Sequence, residues 1–346
     1  KIAKITNNFT DLDSTILNSK DIYYDRLLSN YINDKNFKSQ LKSKLLSNPY
    51  RNVLTELLRK KINQEFPENK IDFAVVIAAN KANPNGDPLN GNRPRENFDG
   101  YGEISDVCIK RKIRNRMIDL GYPVFVQSDD KNVDGYKSLS ERADNCPELK
   151  AAGKDKDAYA KAACEKWLDV RAFGQVFAFK SGGKGEGVSV GVRGPVSVQT
   201  AVSVSPVDIS SMQITKSVNS EPGEKKSSDT MGMKHRVEFG LYVVYGSINR
   251  QLAEKTGFSD EDALVIKEAL RTLFENDASS ARPEGSMEVC KLIWWEHNCP
   301  SGQYSSAKVH RSLKITPKVE QPKSQLDYNI EIEQLEGLKF EEIDGI

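Results

Sequence analysis

Residues 71–80, IDFAVVIAAN, form a β-branched run of strand length, and they lead through Lys81 and Ala82 into NPNGDPLNGNRPRENFDGYGE (83–103) and then ISDVCIKRKIRNRMIDLG (104–121). The first stretch predicts a buried strand, the second a long ordered loop dense in turn residues, and the third a helix. Val107, Ile113 and Met117 are expected on the apolar face of that helix, Ser105 or Asp106 at its N-cap, and Gly121 just past its end.

AYAKAACEKWLDVRAFGQVFAF (158–179) predicts a helix that breaks at Gly174, and SVGVRGPVSVQTAVSVSPVDI (189–209) alternates in strand fashion. The polar stretch SVNSEPGEKKSSDTMGMK (217–234) is expected to be a mobile excursion between two strands, with strand pattern resuming at Val237–Asn249. In FSDEDALVIKEALRTLFEND (258–277), Ser259 and Asp262 make a capping pair, and Leu264, Ile266, Leu270, Leu273 and Phe274 are assigned to one helical face. VCKLIWWEHN (289–298) closes the series as a strand, with Trp294 and Trp295 on opposite faces, one in the core and the other free to stack on a partner. Strand, helix, strands, helix, strand is the order of an α+β, ferredoxin-like or RRM-like fold.

Outside this core lie two segments of opposite charge. Residues 1–70 carry 13 Lys/Arg against 8 Asp/Glu and show helical periodicity, with three short helices expected between residues 22 and 62 and a boundary near Lys70. Residues 319–346 carry 8 acids against 2 lysines and are read as an acidic tail, either disordered or packed on a neighbour. The formal net charge of +1 conceals this segregation.

Several function classes have no foothold. The five cysteines (Cys108, Cys146, Cys164, Cys290, Cys299) are odd in number and form no CxxC pair, and the three histidines (His235, His297, His310) are dispersed, so neither a disulfide framework nor a metal site is expected. No GxSxG, HExxH or Walker loop occurs. No apolar run approaches the roughly 20 residues of a membrane span, and the first residues lack a secretory h-region, so a cytoplasmic location is expected.

The binding chemistry is concentrated in cations beside glycine. Lys110, Arg111, Lys112, Arg114 and Arg116 fall within seven residues of the expected helix with no acid among them, a density that favours phosphate contact over a solvated face. The loop Asn83–Pro88 with Arg93 and Arg95 could bring backbone N–H groups and guanidinium groups to a polyanion, or serve only as a rigid connector. Arg171 and Arg193 sit beside glycines that permit close approach of another backbone, and either could instead be a structural ion-pair partner. Asp87, Asp106 and Asp229 show no metal-ligand spacing, and Asp87 and Asp106 read as turn and cap residues.

From Asp72 to about Ile315 the sequence resembles the backbone subunit of the type I-C CRISPR Cascade, the family numbered seven among the Cas proteins. The resemblance rests on NPNGDPLNGNRPR, ISDVCIKRKIRN, DVRAFGQVFA, VRGPVSVQTAVSVSPV, ITKSV with DTMGMKH, FGLYVVYG and LAEKTGFSDEDA, in that order. It implies an RRM-like palm over residues 71–318 with finger and β-hairpin thumb insertions, the thumb at about 205–236, stacked in copies along a CRISPR RNA that pairs with a target DNA strand. Residues 1–70 have no counterpart in the resemblance, and are read as a natural extension, a fused helical piece of a neighbouring subunit, or an artificial addition.

By this resemblance Ser105, Lys110, Arg111 and Arg114 would hold guide phosphates, with Asn85, Arg93 and Arg193 as further candidates, and Arg171 joins the RNA-binding candidates from its place beside glycine. Met212 and Ile214 would be the apolar thumb residues inserted at a kink in the guide, flanked by Lys216, Lys234 and His235. Implied partners are the large subunit, the subunit that binds the guide 5′ handle, the small helical subunit and a recruited nuclease-helicase. No cofactor, no catalysis and no membrane are implied. The rival is a metal-dependent RNA endonuclease of type III kind using Asp229, and a third possibility is a monomeric RRM-like binder, for which no RNP motif is present.

Overall fold

A computed structural model describes residues 69–179, 189–215 and 231–346. The chain divides between residues 64 and 65 into two units, and the described residues all belong to the second. The helices expected between residues 22 and 62, Lys216 and Asp229 lie outside the described residues.

The elements run β1 (Ile71–Ala82), β2 (Gly86–Asp87), β3 (Arg93–Pro94), β4 (Tyr101–Ile104), α1 (Asp106–Asp119), α2 (Leu139–Asp144), α3 (Pro147–Ala152), α4 (Lys156–Lys166), α5 (Leu168–Phe173), β5 (Gly174–Phe177), β6 (Val190–Arg193), β7 (Val196–Val198), β8 (Ala201–Pro206) and β9 (Ile209–Thr215). They continue with β10 (Met231–Ile248), α6 (Arg250–Thr256), α7 (Asp260–Arg271), β11 (Met287–Glu296), α8 (Ser306–His310), β12 (Leu313–Pro317), β13 (Tyr328–Ile332) and β14 (Lys339–Asp344).

β1 is buried from Ile71 to Ala79 because it is central and both of its faces are covered. The sheet runs β14-β11-β1-β10-β8-β4, with β7 and β9 also on β10, and every pair is antiparallel. Phe73, Val75 and Ile77 face a cluster built with α1 and α7, while Ala74, Val76 and Ala78 face a second one completed by Val309, Leu313, Tyr328 and Leu338. α8 and the β12–β13 hairpin therefore cap the sheet face opposite the two long helices.

The sequence expectations are corrected at four points here. On α1 the inward residues are Ile109, Ile113 and Met117, one helical turn apart, whereas Val107 is 67% exposed. On α7 the Ser259–Asp262 capping box is present, but Leu264 points outward and Leu273 and Phe274 are buried beyond the helix end. Trp294 and Trp295 do alternate across the sheet, yet both are core, one in each cluster, and Trp294 stacks on Phe73 at 5.8 Å. Residues 319–346 are not a tail at all: β13 pairs with β12, and β14 forms a sheet edge on β11, with Lys291 bridging Glu342 and Asp344.

Between α1 and β7 lies an insertion with its own core, in which Phe125 packs on Trp167 and Phe177 at 4.7 and 5.0 Å. The helix expected to break at Gly174 is two helices, separated at the extended Trp167. Gly174 ends the second with φ +81°, and a Cβ there would lie 2.3 Å from the Val192 carbonyl, so only glycine fits.

Candidate nucleic-acid interface

The expected mobile excursion is partly strand, because β10 begins at Met231 and pairs from Met231 to Val237 with β9. β1 reaches β10 only as far as Val237, so the Met231–Arg236 stretch projects past the sheet as a two-stranded hairpin. Its pairing decides which side chains share a face. Met212 and Ile214 lie with Lys234 and Gly232 on one face, and Met231 and Met233 lie with Gln213 and His235 on the other. All four apolar side chains are exposed, Met231 and Met233 more so than Met212 and Ile214. Sequence reasoning missed Met231 and Met233. Their signal was the alternation with His235 at 231, 233 and 235, obscured by the Gly, Ser and Lys that precede them.

The hairpin root meets the loop after β1. Arg93 donates from Nη1 to Ser211 Oγ at 3.2 Å, and Ser211 Oγ lies 2.7 Å from His235 Nδ1. Gly91, at φ +58°, brings the loop beside the same histidine. The loop itself is built rather than slack: Asn83 donates to the Asn92 carbonyl at 2.6 Å, Asp87 pairs with Arg95 at 3.3 Å, and Asn85 Oδ1 accepts from both the backbone N–H and the hydroxyl of Ser105 at 2.9 and 2.8 Å. Ser105 in turn accepts from Cys108 N–H as the cap of α1, so Ser105 and Asn85 serve each other as a tie between loop and helix.

The cations of α1 do not make one patch. Lys112 and Arg116 are buried against the segment after α7, where Lys112 pairs with Asp277 and Arg116 with Thr272 and Glu275; Arg116 also pairs with Asp119 at the end of α1. Burial pulls the Lys112 ammonium below its ordinary pKa, against the pull of Asp277. Arg111 donates to the Val126 carbonyl at 2.8 Å and Lys110 pairs with Asp106 at 3.0 Å. Arg114 is held by Asp169 and lies over the Phe173 ring at 5.0 Å. Asp106 and Asp119 lie on α1 itself, but Asp169, Asp277 and Glu275 come from other elements, which spacing along α1 does not reveal.

Arg171 is likewise committed, with both Nε and Nη2 at 2.7 Å from the Asp262 carboxylate, a bidentate pair that ties the insertion to the cap of α7. Arg193 is exposed and makes no ion pair with a described residue. Among the described residues the structure thus brings together Arg93, Met212, Ile214, Lys234 and His235, and leaves Lys110 and Arg193 apart on other elements. Also among the described residues, no group of three His, Cys, Asp or Glu could hold a metal ion, and no helix is long and apolar enough to cross a membrane.

The family model described as CRISPR-associated protein Cas7 matches residues 69–333. A CRISPR-associated protein Cas7 of Haloferax volcanii is 26% identical over 211 residues, a match covering 56% of this chain and 61% of that protein. The chain is also similar to two solved chains. One, from a "CRISPR RNA-guided surveillance complex, pre-nicking", is 15% identical with a TM-score of 0.42, over 66% of this chain and 78% of the other. The second, from a "CRISPR RNA-guided surveillance complex", is 16% identical with a TM-score of 0.38, over 66% and 69%.

Proposed function

This chain belongs to the CRISPR-associated Cas7 family, and on that premise we propose that it is a non-catalytic guide-RNA-binding subunit, copies of which line up along a CRISPR RNA in a type I-C surveillance complex. The observation that carries the reading is the projecting β9–β10 hairpin, with exposed apolar side chains on both faces and Arg93, Lys234 and His235 at its root. Apolar side chains of this kind can part stacked bases, while cations at the root hold the adjoining phosphates. Protein then reads backbone, and base pairing with target DNA reads sequence.

The fold supports a ferredoxin-like palm. Taking β1, β7–β8, β10 and β11 as the four core strands, with α1 and α7 as the crossovers, the sheet order 4-1-3-2 is that of a split βαβ fold. Residues 120–193 fit the finger insertion. The face that a free-standing RRM would offer to RNA is capped by α8 and the β12–β13 hairpin, which counts against the monomeric RRM-like reading. Other Cascade subunits and a recruited nuclease-helicase belong to the same proposal.

Nuclease footprinting of a guide-length RNA tests it. Evenly spaced protection that fades in Arg93→Ala/Lys234→Ala and in Met212→Ser/Ile214→Ser is the expected result. Absence of protection, or metal-dependent cleavage that disappears in Asp229→Ala, overturns it.

A further inference from the structure

Three of the five methionines in the sequence stand on one hairpin. Met212, Met231 and Met233 are 37%, 60% and 54% exposed, whereas Met117 and Met287 are buried at 0% and 8%. The Met231 sulfur already meets a polar partner, Gln213 Nε2 at 3.3 Å. The pairing of Met231 with Thr215, of Met233 with Gln213 and of Met212 with Lys234 spreads the thioethers over both faces. Apart from Ile214, the exposed apolar surface of this hairpin among the described residues is thioether. Leucine or isoleucine would provide the same apolar area without the chemistry, so thioether is what sets this surface apart.

We propose that the β9–β10 hairpin is a reversible oxidation site, at which sulfoxidation of Met212, Met231 and Met233 by a hydroperoxide turns its apolar surface polar and releases nucleic acid. In each step a sulfur lone pair attacks the hydroxyl-bearing oxygen of the hydroperoxide, an S–O bond forms as the O–O bond breaks, and the hydroxyl proton passes to the departing oxygen, which leaves as an alcohol, or as water when the oxidant is hydrogen peroxide. Sulfur is oxidised by two electrons and the peroxide is reduced by two. A dithiol reverses it, taking the oxygen off as water and becoming a disulfide, the reaction of methionine sulfoxide reductases. The sulfoxide is a strong acceptor with a larger dipole, unsuited to lying against the face of a base. Cys108 and Cys290 are poorer targets: burial pushes Cys108 up and Cys290 up to about 12, which keeps both protonated.

The consequence for nucleic acid rests on the guide-binding reading above, and the two are separable. Purified full-length protein is exposed to hydrogen peroxide and mapped by peptide mass spectrometry, with RNA affinity measured before, after, and after sulfoxide reductase treatment. The expected result is oxygen added at Met212, Met231 and Met233 ahead of Met117 and Met287, a loss of about tenfold in affinity, and recovery on reduction. The RNA affinity of the Met212→Leu/Met231→Leu/Met233→Leu variant, whatever its starting value, should not change on exposure to peroxide. Equal oxidation of all five methionines, unchanged affinity of the sulfoxide form, or the same loss in the leucine variant overturns the proposal. Bound guide RNA should also slow oxidation of the three; selective and reversible oxidation that RNA does not slow leaves the modification site standing and sinks the placement of the guide on the hairpin.

Discussion

Arg114 Nε and Asp169 Oδ2 meet at 2.8 Å, with the carboxylate fully buried. Asp169 also accepts the backbone N–H groups of Phe125 and Val126 at 2.7 and 3.1 Å, so one carboxylate joins α1 to the start of the insertion. Removing the guanidinium leaves a buried charge with only backbone donors. Arg114→Ala is therefore expected to lose about 3 kcal/mol of unfolding free energy in denaturant titration. A variant of parental stability that nonetheless loses RNA would return Arg114 to the phosphate-binding role the helix sequence first implied.

Cations and apolar residues at the hairpin should separate by salt. Arg93→Ala and Lys234→Ala should each flatten the slope of log affinity against log salt by about 0.7, the contribution of one phosphate on a single strand. Met212→Ser/Ile214→Ser should lower affinity at every salt concentration with the slope unchanged. Fluorescence anisotropy titrations across a salt series read both. Parallel lines for all the variants would show that neither cation touches a phosphate.

The central strands and the two long helices were legible because their signals are local. IDFAVVIAAN, the Ser259–Asp262 cap and the glycine stops each act within a few residues, and each produced the element expected. The site was legible in part. Spacing identified the cations of α1 but not their distant partners, since Asp169, Asp277 and Glu275 arrive from 55 to 165 residues away in sequence. Met231 and Met233 escaped because strand alternation was masked by the composition of the residues before them. The acidic C-terminal stretch escaped because Ile343 and Phe340 are too sparse among acids to mark β14 as a strand without β11 beside it.

At Gly174 a left-handed φ coincides with contact to a neighbouring backbone. Gly174→Ala should cost about 1–3 kcal/mol from conformation alone, and more from the clash with the Val192 carbonyl. Because β5 and β6 pair at this point through Gly174 and Arg193, the loss should appear first in hydrogen exchange of the insertion, with β1 and β10 protected as before. Uniform loss of protection would instead mean that the central sheet and the insertion unfold as one unit.

Acid should loosen the C-terminal cap through the buried cluster at the start of β1. Asp72 is fully buried, 3.1 Å from Lys70 Nζ, 2.8 Å from His297 Nε2 and 3.8 Å from His310 Nε2. Burial by itself raises its pKa, but hydrogen bonds from His297 and Ser306 and the charge of Lys70 outweigh it and hold the carboxyl below its ordinary value. Its contribution is present above the unfolded value of about 3.9 and is lost as pH falls through the lower folded value. Burial also lowers the pKa of His310, more than Asp72 raises it, so the folded protein keeps that imidazole neutral where the unfolded chain binds a proton. Stability should therefore begin to fall as pH drops below about 6.5, well before the carboxylate titrates. His310 donates to the Gly246 carbonyl at 3.1 Å and stacks on Tyr245 at 4.8 Å, so its protonation acts where α8 meets the sheet. In urea titrations between pH 7.5 and 5, about the range over which a free imidazole titrates, His310→Gln should be less stable at the upper end and flatter across the range. A parental curve that stays level over that range would remove His310 as the group that couples the cap to pH.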